Sequence, residues 1–319
     1  QTGVARKLKR SGSITLKQGP NLIGNTLGDG EINVDGNKNY GFVVNSMSYK
    51  STYDSKTLDK LIQTSDINNY GLGINEGNIN VTGINSIGFA LLQGGNSKNT
   101  GNIIVKESAI SWHPVTGIVN SQPQYDLTQN SIGYFAQKSN FTNEGTIAVN
   151  TPNRSGNKAV LLKGDSTSGT KFTNKGDISV QGSQNIGVYA EGSAAVTLKY
   201  SDINVNNGTG EGGGGIYALN TSNVNVEGAT ITYNGEGYAL YTENSGIINA
   251  DNSKIKLLGK AVGFNIKGTG GTYVSNVSLS GAGIDINSDD VILLGVTDPT
   301  SHNLSNFDSV LLGASGVSL

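Results

Sequence analysis

The sequence predicts an all-β fold, a right-handed parallel β-helix of about ten to twelve coils with about 24 residues in each coil. Three observations lead to this class. The 319 residues include 46 glycines and 39 asparagines but only five prolines, a composition that favours many repeated turns. Short segments with alternating apolar residues recur along the chain. The longest apolar runs are far below the roughly 20 residues that a membrane-spanning helix needs.

The first strand of the repeat is marked by the pattern N-x-G-x-I-x-V. Residues 141–149 and 172–180 share the longer pattern F-T-N-x-G-x-I-x-V, displaced by 31 residues. Since strand side chains alternate between two faces, the isoleucine and valine point inward and the residue between them points to water. Equivalent isoleucines are therefore predicted to stack in one file: Ile79, Ile103, Ile147, Ile178, Ile203, Ile231 and Ile255.

Two further strand patterns follow each first strand. The second pattern, S-I-G-[FY]-x-A or a close variant, begins near Ser86, Ser131 and Asn185. A weaker third segment, such as 196–198 or 224–226, closes the unit. Three short strands with three turns fit one coil of a parallel β-helix, whereas a propeller blade needs four strands and about 40 residues.

The spacing between equivalent isoleucines sets the period and marks the insertions. Ile79 and Ile103 are separated by 24 residues, but the interval from Ile32 to Ile79 is 47 and that from Ile103 to Ile147 is 44. Each long interval indicates either two coils or one coil plus a loop. Asparagines before the glycines are expected in left-handed turn conformations, with side-chain amides bonded to their copies one coil away.

We interpret residues 1–319 as a single β-helix with insertions at about 45–70 and about 106–130 and a glycine-rich excursion at 206–215. In the first insertion, the spacing of Leu58, Leu61 and Ile62 favours a short amphipathic helix. Aromatic side chains on inserted loops are good anchors for a partner. The candidate binding residues are Tyr49, Tyr53, Trp112, His113 and Tyr125.

Four more tyrosines fall in second strands: Tyr189, Tyr217, Tyr238 and Tyr241. We expect them to stack along the solenoid wall, because equivalent positions of successive coils lie next to each other. An exposed ladder that meets sugars or a protein partner is the alternative.

The residue types that catalysis or metal binding needs are not clustered in the sequence. The absence of cysteine excludes disulfides, thiolate nucleophiles and cysteine metal sites. His113 and His302 are far apart and are expected on exposed loops. Residues 285–290 begin like a calcium loop, but Asp290 stands where the loop needs glycine. We therefore predict no enzymatic activity, no cofactor and no bound metal.

The repeat units resemble the passenger domains of large fusobacterial type V autotransporter adhesins of the RadD-like kind. The resemblance rests on N-x-G-x-I-x-V followed by S-I-G-[FY]-x-A and covers roughly residues 30 to 290. It implies a right-handed β-helix that carries adhesive regions outward from the cell and is secreted through a C-terminal membrane barrel. The last 60 residues lack the series of about ten-residue amphipathic strands of such a barrel, so we expect a passenger fragment of an anchored parent.

The predicted function is that of a cell-surface adhesin passenger region, which presents loops from a rigid β-helix to a host-cell glycan or protein receptor or to a partner bacterial surface. The expected location is extracellular, on the bacterial surface, and the chain is expected to be monomeric. Beyond residue 20 the chain has 17 basic and 24 acidic residues, a balance that does not favour nucleic acid. A purely structural stalk and a β-helix carbohydrate-active enzyme are the alternatives.

Overall fold

The computed structural model describes residues 13–16, 31–45, 49–50, 62–63, 72–92, 96–164, 169–207, 212–267, 276–279, 281–297 and 317–318. Within these ranges the chain is a parallel β-solenoid with three long sheets, so the predicted all-β, parallel β-helix class is confirmed. Its handedness stays a prediction. The same ranges contain no helix long and apolar enough to cross a membrane.

The first sheet has eleven parallel strands and contains the I-x-[VL] segments. Numbered in chain order together with the strands of the other sheets, they are β1 (Ser13–Leu16), β2 (Glu31–Val34), β7 (Asn78–Val81), β10 (Asn102–Lys106), β15 (Thr146–Asn150), β18 (Ile178–Gln181), β21 (Asp202–Asn206), β24 (Thr230–Asn234), β27 (Lys254–Leu258), β30 (Gly283–Ile286) and β32 (Val317–Ser318).

The second and third sheets contain the second and third strand patterns of the repeat. The nine strands of the second sheet are β3 (Tyr40–Asn45), β8 (Ile87–Leu92), β13 (Ile132–Gln137), β16 (Lys158–Lys163), β19 (Ile186–Glu191), β22 (Gly214–Leu219), β25 (Gly237–Glu243), β28 (Ala261–Lys267) and β31 (Ile292–Thr297). The eight strands of the third sheet are β6 (Leu72–Asn75), β9 (Asn96–Asn99), β14 (Asn140–Asn143), β17 (Lys171–Asn174), β20 (Ala195–Lys199), β23 (Asn223–Glu227), β26 (Ile247–Asn249) and β29 (Asn276–Ser278).

Eight turns contribute a strand to all three sheets within the described ranges, fewer than the ten to twelve coils predicted. The long isoleucine intervals explain part of the difference. Ile32 pairs directly with Ile79, and Ile103 pairs directly with Ile147. Each long interval is therefore one coil plus a loop, and no additional coil lies between these strands.

The predicted isoleucine file is confirmed by the register of the first sheet. From Ile79 to Ile255, each predicted isoleucine is the direct partner of the next one. All seven side chains are fully buried. Across the core, the rings of Phe141 and Phe172 stack with centroids 5.6 Å apart, and Tyr134 stacks on Phe141 at 3.6 Å. Burial of each such side chain stabilises the fold by about 1.5–3 kcal/mol.

The predicted amide ladder is also confirmed, at the end of the third-sheet strands. Asn75 donates from Nδ2 to Oδ1 of Asn99 at 2.7 Å, Asn99 donates to Asn143 at 2.7 Å, and Asn143 donates to Asn174 at 2.6 Å. All four side chains are fully buried. The expected left-handed backbone is wrong for these four residues, since none of them has a positive φ.

The glycine of N-x-G is required by the close approach of neighbouring turns. A Cβ built on Gly145 would lie 1.9 Å from the carbonyl oxygen of Gly101, and one built on Gly176 would lie 1.9 Å from that of Gly145. The asparagine amides also donate to these carbonyls, as from Asn99 to Gly101 at 3.0 Å. The motif thus satisfies buried polar groups and lets the turns approach closely.

A second polar ladder runs along the start of the second sheet and explains the serine of S-I-G. The backbone N–H of Ser86 donates to Oγ of Ser131 at 3.0 Å, and that of Ser131 donates to Oδ1 of Asn157 at 2.8 Å. The N–H of Asn157 in turn donates to Oδ1 of Asn185 at 2.9 Å. These buried side chains replace the backbone acceptors that a corner between two sheets lacks.

The first insertion contains a short antiparallel pair, β4 (Tyr49–Lys50) and β5 (Ile62–Gln63). The predicted helix is wrong at Ile62, which pairs with Lys50, because a spacing shared by three residues is too short a signal to outweigh cross-strand pairing. Leu58, Leu61 and the candidate Tyr53 lie outside the described residues. The glycine-rich excursion falls between β21 and β22, with 208–211 outside the described residues.

Candidate binding surface on the second insertion

The second insertion, residues 107–131, leaves the solenoid after β10 and returns at β13. It contains a three-residue 3-10 helix, η1 (Ile110–Trp112), and an antiparallel hairpin of β11 (Val115–Val119) and β12 (Gln122–Tyr125). The insertion lies between β10 of the first sheet and β13 of the second sheet, so both of its ends continue into strands of the solenoid.

The hairpin closes through the two residues between its strands. Val119 pairs with Gln122, so Asn120 and Ser121 form the turn, and their φ angles are +50° and +64°. Positive φ at both central residues is the geometry of the type I′ turn, whose twist matches that of the flanking strands. Asparagine is one of the few residues other than glycine that adopts this conformation readily.

The hairpin and its flanks carry most of the exposed apolar side chains of the described chain. Among the described residues of the whole chain, eight large hydrophobic side chains are exposed. Six of these eight lie in the second insertion: Ile110, Trp112, Val115, Ile118, Val119 and Leu127. Ile118 is 74% exposed and the adjacent Val119 is 55% exposed. Since neighbouring strand residues point to opposite faces, both faces of the hairpin present apolar surface. A cluster of this kind is typical of a contact surface.

Buried hydrogen bonds fix the base of the insertion. The fully buried Gln129 donates from Nε2 to the carbonyl oxygens of Gly83 at 3.0 Å and Lys106 at 2.9 Å, and its Oε1 accepts the N–H of Ser108 at 3.3 Å. Arg154 donates from Nη2 to the carbonyl oxygen of Ser108 at 2.9 Å. An apolar tip on a fixed base is preordered for binding, which limits the entropy lost on association.

His113 is buried, with 4% of its surface exposed, so the prediction of an exposed loop histidine is wrong. Its Nε2 lies 2.6 Å from Oγ of Ser108, and its Nδ1 lies 2.5 Å from the carbonyl oxygen of Asp126. A carbonyl oxygen only accepts, so Nδ1 carries the hydrogen and Nε2 accepts from the serine hydroxyl. His113 thereby joins the two ends of the insertion.

A serine bonded to a histidine is also the arrangement of a nucleophile and its base. Ser108 is only 2% exposed, so its Oγ is closed to a substrate in this structure. The partner of Nδ1 is a backbone carbonyl, which does not supply the negative charge that stabilises an imidazolium in a catalytic triad. The pair therefore fits a structural role.

The carboxyl group of Asp126 lies next to this pair. Hydrogen bonds from Thr128 lower the pKa of that carboxyl group.

The structure separates the five candidate residues. On the second insertion, Trp112 is 41% exposed, Tyr125 is half-buried and His113 is buried. Tyr49 lies in β4 of the first insertion, and Tyr53 lies outside the described residues.

Sequence reasoning missed the aliphatic part of the surface. The exposed Val115, Ile118 and Val119 were not among the candidates. The sequence does contain a signal for these residues. The segment V-T-G-I-V followed by Asn120 and Ser121 is typical of a β-hairpin and lies outside the 24-residue repeat of the coils. The exposure of both hairpin faces follows only from the tertiary structure, in which none of the described residues covers them.

The residues considered for calcium lie in β30 and in the segment that precedes β31. Asp285 pairs with Lys254 at 3.3 Å, and Asp289 and Asp290 are exposed. Across the ranges that the structure describes, no three potential metal-ligating side chains come together. His302 lies outside those ranges.

The fold and this surface define a parallel β-solenoid that presents an exposed, inserted hairpin. No protein-family model, curated protein or solved structure matches the chain.

Proposed function

We propose that this chain is the passenger region of a bacterial cell-surface adhesin, extracellular and monomeric, and held at the outer membrane through its parent chain. In this function the solenoid supplies rigid length, and the second insertion contacts a protein receptor on a host cell or a partner bacterium. The resemblance of the repeats to fusobacterial autotransporter passengers supports the location, and the surface of the hairpin supports the adhesive role.

The observation that carries the proposal is the concentration of exposed apolar side chains on one hydrogen-bonded insertion. Most outward positions of the first-sheet strands are polar, as with Asn204 in β21, so the solenoid wall there offers less apolar area than the hairpin. Ile118, Val119 and Trp112 offer such area, and removal of apolar surface from water is the main driving force of protein association.

The chemistry of the hairpin favours a protein as its partner. Aliphatic side chains such as Ile118 fit pockets on protein surfaces, and the outer edges of β11 and β12 are free of further strands in the described chain. Unpaired edges of this kind accept an additional strand from another protein. Apolar side chains on both faces add contact area to that backbone pairing.

The test removes the hairpin and keeps its base. The backbone N–H of Asp126 donates to the carbonyl oxygen of Pro114 at 3.0 Å, so an Asn-Gly turn joins residues 114 and 126 in place of 115–125. Attachment of the purified chain to host epithelial cells and to partner bacteria is measured by flow cytometry. Loss of the hairpin should reduce attachment at least about tenfold.

Point variants locate the effect. Ile118→Ser combined with Val119→Ser should reproduce most of the loss, while Tyr200→Ser, at a residue that is 85% exposed elsewhere, should leave attachment unchanged. Circular dichroism checks that all variants stay β-rich. Attachment that survives hairpin replacement would leave this chain as a structural stalk, and the adhesive role of this region would be wrong.

A further inference from the structure

Four tyrosine rings contact one another on the outer face of the second sheet, far along the chain from the second insertion. This tyrosine ladder consists of Tyr189, Tyr217, Tyr238 and Tyr241. The ring centroids of Tyr217 and Tyr241 are 4.6 Å apart and nearly parallel, and those of Tyr189 and Tyr217 are 5.9 Å apart. Tyr238 lies 5.3 Å from Tyr241 with its ring tilted by 48°.

The ladder follows from the register of the second sheet. Tyr189 pairs with Tyr217, and Tyr217 pairs with Tyr241, so three rings occupy the same position on successive strands. Tyr238 comes from the neighbouring outward position, where it pairs with Gly214. A Cβ on Gly214 would lie 2.0 Å from Cε1 of Tyr217, so the glycine leaves the space that this ring fills.

Two of the four rings are held by hydrogen bonds before any ligand arrives. The Tyr217 hydroxyl donates to the carbonyl oxygen of Gly213 at 3.1 Å, and the Tyr241 hydroxyl donates to Oε2 of Glu243 at 2.7 Å. Tyr241 is 8% exposed and forms the floor, while Tyr189, Tyr217 and Tyr238 are partly exposed. A ligand that stacks here therefore loses little binding energy to the ordering of side chains.

The rings line an open groove with a volume of about 350 Å³, together with Leu219, Glu243 and Lys267. This volume is within the usual range of small-ligand sites. At one end, the Lys158 ammonium lies 5.5 Å from the centre of the Tyr189 ring. The groove is therefore bounded and aromatic, and it extends over three turns.

Charges around the groove are compensated within the protein. Glu191 pairs with Lys163 at 2.9 Å, and Glu243 pairs with Lys267 at 3.4 Å. Burial raises the pKa of the Tyr217 hydroxyl well above its usual range, so the phenol stays uncharged. The groove thus presents rings and neutral hydroxyls, each carboxylate is balanced by a lysine, and the one further charge there among the described residues is the Lys158 ammonium at its end. A single ammonium is not the positively charged surface that a polyanion needs.

We propose that the tyrosine ladder is a binding site for a neutral glycan, namely a chain of β-linked hexopyranose units with equatorial substituents. The C–H bonds on the flat face of such a sugar carry partial positive charge, which complements the negative face of an aromatic ring. Its hydroxyls match the phenol groups and the rim carboxylate and ammonium as hydrogen-bond partners. A nucleic acid strand also stacks on aromatic rings, but it requires a positively charged groove.

The test measures binding of chitohexaose and cellohexaose to the whole chain by isothermal titration calorimetry and saturation-transfer NMR. Both hexasaccharides should bind, with transfer to the C–H protons of the sugar faces. Tyr238→Ala and Tyr189→Ala should each weaken binding by up to about tenfold, because each removes one ring. Tyr238→Phe keeps the ring and should retain binding.

The matched control is Tyr200→Ala, which removes an exposed tyrosine outside the ladder and should change nothing. Replacement of the inserted hairpin should also leave hexasaccharide binding intact. The proposal of a glycan site and the proposal of an adhesive hairpin are therefore tested independently. Three results would overturn the proposal: no binding of either hexasaccharide, equal loss in Tyr200→Ala, or tighter binding of a heparin hexasaccharide or of a ten-residue oligothymidylate. If Tyr238→Ala dissociated an oligomer, the tyrosine ladder would be a surface for self-association, and the glycan proposal would be overturned as well.

Discussion

Removal of one rung of the asparagine ladder should destabilise the solenoid locally. Asn99→Ala eliminates three hydrogen bonds: the one that Asn99 accepts from Asn75 at 2.7 Å, the one it donates to Asn143 at 2.7 Å, and the one it donates to the carbonyl of Gly101 at 3.0 Å. Each such bond contributes about 1 kcal/mol, and the site is fully buried, so water does not replace the lost partners. The free energy of unfolding should fall by about 2–4 kcal/mol.

The matched control is the exposed asparagine pair of the first sheet. Asn102 donates to Asn78 at 2.8 Å at the surface, so Asn102→Ala removes a similar bond where water takes its place and should cost less than about 0.5 kcal/mol. Urea titration gives the free energy of unfolding of both variants. Hydrogen exchange should show lost protection around 96–106 but not around 223–234, because each turn contacts only its neighbours. Equal losses in the two variants would refute the structural role of the ladder.

Ile178→Asp places a carboxylate in the fully buried isoleucine file and should cost several kcal/mol, so an unchanged melting temperature would contradict the stacked core. Tyr134→Phe should raise the free energy of unfolding by about 1 kcal/mol, because the buried Tyr134 hydroxyl has no hydrogen-bond partner among the described residues; a lower urea midpoint would argue against this. The lysines Lys98 and Lys175 lower the pKa of Glu144, so their stabilising effect is present above the unfolded pKa of about 4.3 and is lost as the pH falls through the folded value. Glu144→Gln should therefore lower the urea midpoint slightly at pH 7 but not at pH 2.5, and an equal shift at both pH values would contradict it.

The repeat pattern of the amino-acid sequence is sufficient to predict the architecture. Because strand side chains alternate and equivalent positions of successive turns stack, a recurring I-x-V segment specifies both an inward file and a parallel register. Ile178 and Val180 could be placed in the core from their spacing alone, and Asn143 could be placed in an amide ladder from the repeated N-x-G. These inferences hold because each turn packs against a turn of similar sequence. The residue pattern within one turn therefore also predicts which residues contact the next turn.

The features that depend on contacts between unlike segments could not be predicted from the sequence and are seen only in the three-dimensional structure. The burial of His113 depends on Ser108 and Asp126, and the exposure of Ile118 depends on the hairpin standing without a packing partner. The space for the Tyr217 ring depends on Gly214, three residues earlier. None of these contacts repeats from turn to turn, so no periodic signal encodes them. These contacts depend on which surfaces of the folded chain pack together. Packing in turn determines which polar groups are buried with hydrogen-bond partners and which apolar groups stay exposed to water.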